Sequence, residues 1–197
     1  MKNKNKQLTL LVILLFSLNM KAQINNNNNN NNSSVEKSVF GIQIGVLGTW
    51  VHNEIKVFDS FALRSEIGVE FVYYDNSLNN DSGIFAVPSI ILEPRWYYNL
   101  NKRVSKKRRI DGNSGNFLSL KLNYRPDLLL TKLDNNYNFV SDISVVPTWG
   151  IRRNIGKHFN YETAIGIGYV KYFGEENVIF GQEDIRVNLH LRIGYRF

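Results

Sequence analysis

At 197 residues, with a formal net charge of +7 and no cysteine, the chain is about one domain long. Disulfides, thiolate metal sites and a lipid-anchored cysteine are excluded. The positive balance does not describe a nucleic-acid surface. Lys2, Lys4, Lys6 and Lys21 precede the folded part, and Lys102, Arg103, Lys106, Lys107, Arg108 and Arg109 crowd one short stretch, which leaves the rest slightly acidic with no basic face for a duplex.

Residues 1–22 begin with lysines, continue through the apolar run 8–18 and reach small Ala22. This is the pattern of a cleaved secretory leader, too short to span a membrane comfortably. The uninterrupted asparagine run 25–32 that follows has no apolar side chain to bury, so residues 23–38 are expected to be a disordered tether. The folded domain is expected over 39–197.

From Val39 onward the chain reads as strands with one apolar and one polar face. In 40–50 the apolar row is Phe40, Ile42, Ile44, Val46 and Trp50, and 51–60 reads as a turn. In 61–73, Phe61, Leu63, Ile67, Val69, Phe71 and Tyr73 oppose Arg64, Glu66, Gly68 and Glu70. In 84–98, Ile90, Leu92, Trp96 and Tyr98 oppose Ser89, Glu93 and Arg95, and Pro88 and Pro94 predict a bulge or kink there. A basic loop fills 99–116. Segments 117–125, 139–152 and 161–173 alternate in the same way, with Lys121, Arg125, Asp142 and Glu162 in their polar rows.

The final segment, 185–197, is the strictest. Ile185, Val187, Leu189, Leu191, Ile193, Tyr195 and Phe197 are all apolar or aromatic, with Arg186, Asn188, His190, Arg192 and Arg196 between them. That makes seven strands, each near the roughly 9–11 residues that a tilted membrane strand needs. A bacterial barrel of this kind takes an even number, so an eighth is expected, from 128–138 or near 33–37.

Alternation alone also fits a soluble sandwich or a lipocalin-like barrel with the apolar row inside. The polar rows decide between them: they mix Gly, Ala and Ser with charges of both signs, a composition that suits the inside of a narrow tube. Ten Tyr and twelve Phe suit aromatic girdles at two interfaces. The segments LEPRWYYNLNKR (92–103) and PTWGIRRNIGKHFNYETAIGIGYVKYF (147–173), with the ending LRIGYRF on an aromatic residue, resemble small Gram-negative outer-membrane β-barrels of the porin-family or OmpA/OmpX-like kind. The resemblance implies an all-β, antiparallel up-and-down transmembrane barrel of about eight strands, monomeric, exported through the Sec pathway to the outer membrane. It also implies contact with outer-membrane lipid and lipopolysaccharide, and a C-terminal signal, Tyr195 and Phe197, that the barrel-insertion machinery reads. No catalytic, cofactor-binding or metal residues come with it, because such proteins share a barrel and not a site.

The expected lumen network is Arg64, Glu66, Glu70, Glu93, Arg95, Lys121, Arg125, Glu162, Arg186, His190, Arg192 and Arg196. His190 raises a rival reading as a membrane-embedded lipid-modifying enzyme, but no serine stands out as its nucleophile. A water-soluble periplasmic ligand-binding barrel is the other rival. His52 and His158, at strand ends without metal-ligand spacing, read as solvated turn residues. The loop 102–109 reads as a solvated charge run; it holds phosphates of lipopolysaccharide if it faces outward, and an acidic partner if it faces inward.

Overall fold

The alternating segments close on themselves. The computed structural model describes residues 33–76, 81–130, 139–173 and 183–197. Among these, β1 (Ser38–Gly45), β2 (Gly48–Phe58), β3 (Phe61–Asn76), β4 (Asp81–Trp96), β5 (Asn116–Arg125), β6 (Asp142–Ile155), β7 (Phe159–Tyr172) and β8 (Glu183–Arg196) form one barrel in chain order. Every neighbouring pair is antiparallel, and β8 closes onto β1, with Gly41 opposite Arg196 and Ile44 opposite Ile193. Closure gives every strand a partner on both sides, although 81–89 of β4 and 183–191 of β8 run on beyond their pairing with β5 and β1.

Eight strands bring the start of β1 and the end of β8 to the same end of the barrel. The β2–β3, β4–β5 and β6–β7 connections lie at this terminal end. The β1–β2 turn, and the strand ends that the remaining connections join, lie at the opposite end.

The eighth strand is not where the sequence pattern predicts it. Residues 33–37 form no strand, and neither do 126–130, where the Leu130 amide instead donates to the Ala86 carbonyl (2.9 Å); 131–138 lie outside the described residues. The additional strand arises because 40–50 is not continuous. β1 ends at Gly45, a two-residue turn reverses the chain, and β2 runs through the stretch read as a turn. Gly48 makes this possible: its φ is +152°, and a Cβ there would lie 2.1 Å from the Val69 carbonyl oxygen, closer than any side chain allows. Past the turn, even positions face inward, so Trp50, His52 and Glu54 are buried and not outward or solvated.

The prolines do not produce the expected bulge in β4. β3 and β4 pair without a register shift from Phe61 opposite Trp96 to Asn76 opposite Asp81. Pro94 only interrupts the β4–β5 ladder between Leu92 and Arg95, on either side of which the register is the same. The missing N–H removes a bond without inserting a residue.

The two faces of the strands are inverted relative to a water-soluble barrel. Ile67, Leu92, Leu120, Ile165, Leu189 and Ile193 point outward and are exposed, whereas Arg64, Arg95, Arg152 and Glu162 point inward and are fully buried. The outward aromatics form two rings. Phe40, Phe58, Phe61, Trp96, Trp149, Phe159 and Tyr195 lie toward the terminal end, and Phe71, Tyr73, Tyr124, Tyr169 and Phe173 toward the other. No helix among the described residues is long and apolar enough to cross a membrane, which has no bearing on crossing by strands.

The terminal end is capped by a small apolar core of Val35, Ala62, Tyr97, Leu100, Phe117 and Ala164, with Ile110 packed on it. The basic loop is therefore partly structured. It opens with helix α1 (Leu100–Ser105), and Arg103 turns inward to donate twice to the Arg109 carbonyl (3.0 and 2.7 Å). Residues 33–37, read as part of the tether, dock on this cap: Val35 N–H donates to the Asp59 carbonyl (2.8 Å) and Glu36 N–H to Asn113 Oδ1 (2.8 Å).

Asp111 fastens the cap from below, accepting from Arg196 (2.9 Å) and Arg109 (2.7 Å). The Arg109 hydrogen bond, reinforced by that of Asn154, holds its carboxyl below the ordinary value. A carboxyl whose folded pKa is depressed stabilises the fold above its unfolded value, about 3.9, and loses that contribution as pH falls through the lower folded value. Exchange protection of the Glu36, Gly112 and Ser114 amides should therefore weaken below about pH 4, before the strand amides are affected. Equal protection of cap and strands down to full acid unfolding would contradict this.

Candidate functional site: a charged lumen, packed at one end and hollow at the other

Inward positions on six strands converge in the half of the lumen nearer the termini. β4 places Arg95 so that its guanidinium forks onto Glu162 of β7 (2.9 and 2.8 Å), and the same side chain reaches Glu93 (2.7 Å). β6 places Arg152 against Glu54 of β2 (2.9 Å). Arg64 of β3 bonds Glu66 and donates to Gln43 Oε1 (2.6 Å), with Glu54 and Glu162 each 3.6 Å from its guanidinium. Tyr97 donates its hydroxyl to Glu54 (2.8 Å).

Isolated charges do not survive such burial, whereas forked arginine–carboxylate pairs do, because the N–H groups and lone pairs that meet in the fork satisfy one another and the charges cancel. Among the described residues three cations (Arg64, Arg95 and Arg152) here face four carboxylates (Glu54, Glu66, Glu93 and Glu162), of which Glu66 is shared with Arg192 at the edge of the cavity. The Arg95 guanidinium also lies over the Phe117 ring (4.2 Å), so the apolar cap and the ionic layer are continuous.

Farther from the termini the lumen widens into a cavity of about 420 Å³. Arg192 separates the two regions. It bonds Glu66 (2.8 Å) and stacks on Trp50 (3.8 Å); Gly68 leaves room for that indole, since a Cβ there would lie 2.4 Å from Trp50 Cδ1. Arg125 is held by Asp142 (2.9 and 2.5 Å), and Glu70 accepts from Asn123 (3.0 Å) and lies 3.7 Å from Arg186. Among the described residues Lys121 reaches only Asn188 Oδ1, at 3.4 Å. Around the cavity four cations (Lys121, Arg125, Arg186 and Arg192) face three carboxylates (Glu66, Glu70 and Asp142) among the described residues.

All twelve side chains predicted for the lumen stand on inward-facing strand positions, in two groups and a lone residue. Arg64, Glu66, Glu93, Arg95 and Glu162 lie in or beside the packed ionic layer. Glu70, Lys121, Arg125, Arg186, His190 and Arg192 line the cavity. Arg196 belongs to the cap, bonding Glu36 (3.1 Å) and Asp111.

Sequence reasoning misses Glu54 and His52, because 51–60 reads as a turn, and Arg152, because it follows the part of β6 that alternates most clearly. Continuing the even phase of Gly48 and Trp50 through His52 and Glu54 would have found the first two. His52 lies 3.3 Å from Arg152. His158 does sit in an exposed turn, stacked on Tyr195 (5.3 Å). His190 lies 3.2 Å from Glu162, and no hydroxyl among the described residues hydrogen-bonds to it.

Tyr195 and Phe197 are on the outside at the terminal rim. Their rings meet at 5.3 Å, Phe197 packs on Phe40 (5.5 Å), and the Phe197 amide donates to the Phe40 carbonyl (3.1 Å). The last residue is thereby part of the barrel wall. Lys102, Lys106, Lys107, Arg108 and Arg109 are exposed at the same end.

Compared with family models, with curated proteins and with solved structures, the chain matches none.

Proposed function

We propose that this chain is a small outer-membrane β-barrel protein, made as a Sec-exported precursor, with a structural, adhesive or accessory role and no wide diffusion pore. The observation that carries this reading is the outward apolar row, continuous around the barrel and bounded by an aromatic ring at each end. Along β3, ten residues separate Phe61 from Phe71; at about 3.3 Å per residue and a tilt of about 40° this spans roughly 25 Å along the barrel axis, the height of the apolar band of outer-membrane barrels. In water the same surface would be an aggregation liability far beyond the few hundred square ångströms that a monomer tolerates. A soluble ligand-binding barrel requires the other row inside.

In this reading the terminal end faces the periplasm, which puts the exposed cations of 102–109 on that side, toward an acidic partner or solvent. The opposite end meets lipopolysaccharide. The packed ionic layer supports a lumen that passes no large solute. His190 lies against Glu162 in the charge network, and the reading includes no catalytic role, no cofactor and no nucleic acid. Tyr195 and Phe197 are the residues we assign to recognition by the insertion machinery.

Heat-modifiability tests the reading. The chain refolded in detergent is expected to run on a gel as a faster band before boiling than after, and to partition with membranes on fractionation. A chain that stays monomeric and folded in buffer without detergent would rule the membrane assignment out.

A further inference from the structure

Around the cavity the described cations outnumber the described carboxylates by one. Arg125 and Arg192 each have a carboxylate at hydrogen-bond distance, and Arg186 has Glu70 at 3.7 Å. Lys121 is the cation left over: it is 7% exposed, no carboxylate among the described residues comes within ion-pairing distance, and its hydrogen bond to Asn188 is long. Glu66, Glu70 and Glu93 act on it only from beyond ion-pairing distance, and a buried ammonium with no counter-charge in contact is costly. A sequence selected for packing alone would place a neutral residue there.

Size and lining narrow what would complete it. About 420 Å³ is far more than one inorganic ion fills and lies within the range of small-molecule pockets, about 300–1,000 Å³. The walls are not all polar, since Trp50, Val72, Phe139 and Val146 contribute apolar surface beside the cations. We propose that this cavity is a binding site for a small organic anion, whose carboxylate or phosphate group Lys121 holds and whose compact apolar part packs against Trp50 and Val146.

The site is independent of where the barrel resides. It requires only that the barrel be closed, which the gel shift reports separately. The test uses the full folded chain in a non-ionic detergent, titrated by calorimetry with phenyl phosphate, phenylacetate and, as the neutral control, benzyl alcohol, while the fluorescence of Trp50 is followed. At least one of the two anions is expected to bind and perturb the fluorescence, and benzyl alcohol is not.

Lys121→Met is expected to lower the affinity about tenfold or more, the loss of one charge-assisted contact, and Lys121→Arg to retain most of it. Lys121→Met leaves no carboxylate stripped of a bonded partner, so it is expected to keep the gel shift; if it does not, the wild-type comparison of anions with benzyl alcohol decides alone. A folded barrel that binds neither anion better than benzyl alcohol overturns the site and leaves the membrane reading intact. So does a folded Lys121→Met that binds as well as the wild type.

Discussion

Arg95→Met is expected to destabilise the barrel more than any other single change in the lumen, by about 3–5 kcal/mol, the cost of removing one partner from a buried ion pair. Arg95 is fully buried, forks onto Glu162 and also bonds Glu93. Methionine fills much of its volume but leaves two buried carboxylates short of donors. Glu93 keeps the Ser119 hydroxyl (2.6 Å), and Glu162 keeps only longer contacts to Arg64 (3.6 Å), Arg152 (3.9 Å) and His190.

The damage therefore comes from the orphaned acids more than from the lost cation. Arg95→Met combined with Glu162→Gln should recover part of the stability, as coupled sites in one network do. Urea unfolding of the refolded protein, followed by tryptophan fluorescence, measures both. An unchanged midpoint for the single variant, or a double variant that is as unstable as the two losses added, would show that the layer is not coupled as the geometry indicates.

Ile67→Arg gives the second large effect, and it depends on the solvent outside the barrel. Ile67 points outward from the middle of β3, six residues from Phe61 and six from Tyr73, and is 42% exposed. Against a bilayer midplane, arginine costs about 2–4 kcal/mol. In water the same substitution at an exposed position stays within about 0.5 kcal/mol of neutral. Leu128→Arg, outside the strands and also exposed, is the control expected to be nearly silent. Unfolding titrations in phospholipid vesicles should separate the two variants clearly, and equal stability of both would count against lipid as the surrounding medium.

Much of the architecture is legible from side-chain alternation, because a strand facing two different environments must repeat every two residues. β8 shows this most clearly. Its odd positions from Ile185 to Tyr195 all point outward, and its even positions point into the lumen. The β1–β2 turn was hidden for an equally physical reason. Its two residues are Val46 and Leu47, neither a usual turn former, and only Gly45 and Gly48 around them mark a reversal. Because the strand phase changes across the turn, Trp50 continued the apparent apolar row of β1 while pointing into the lumen.

The residue chemistry by itself determined which side chains share a face, that one face is oily and the other charged, and hence that the chain forms a sheet with unlike sides. Only the closed barrel decided which charges meet. Arg152 and Glu54 are 98 residues apart and Arg95 and Glu162 are 67 apart, and their pairing depends on strand register and stagger around the whole circumference, which no local pattern encodes. The same closure left Lys121 with no described carboxylate within ion-pairing distance and put the cap, with Arg103 folded into it, across the terminal end. Alternation is a property of one strand, whereas ion pairing across a lumen depends on how all eight are staggered.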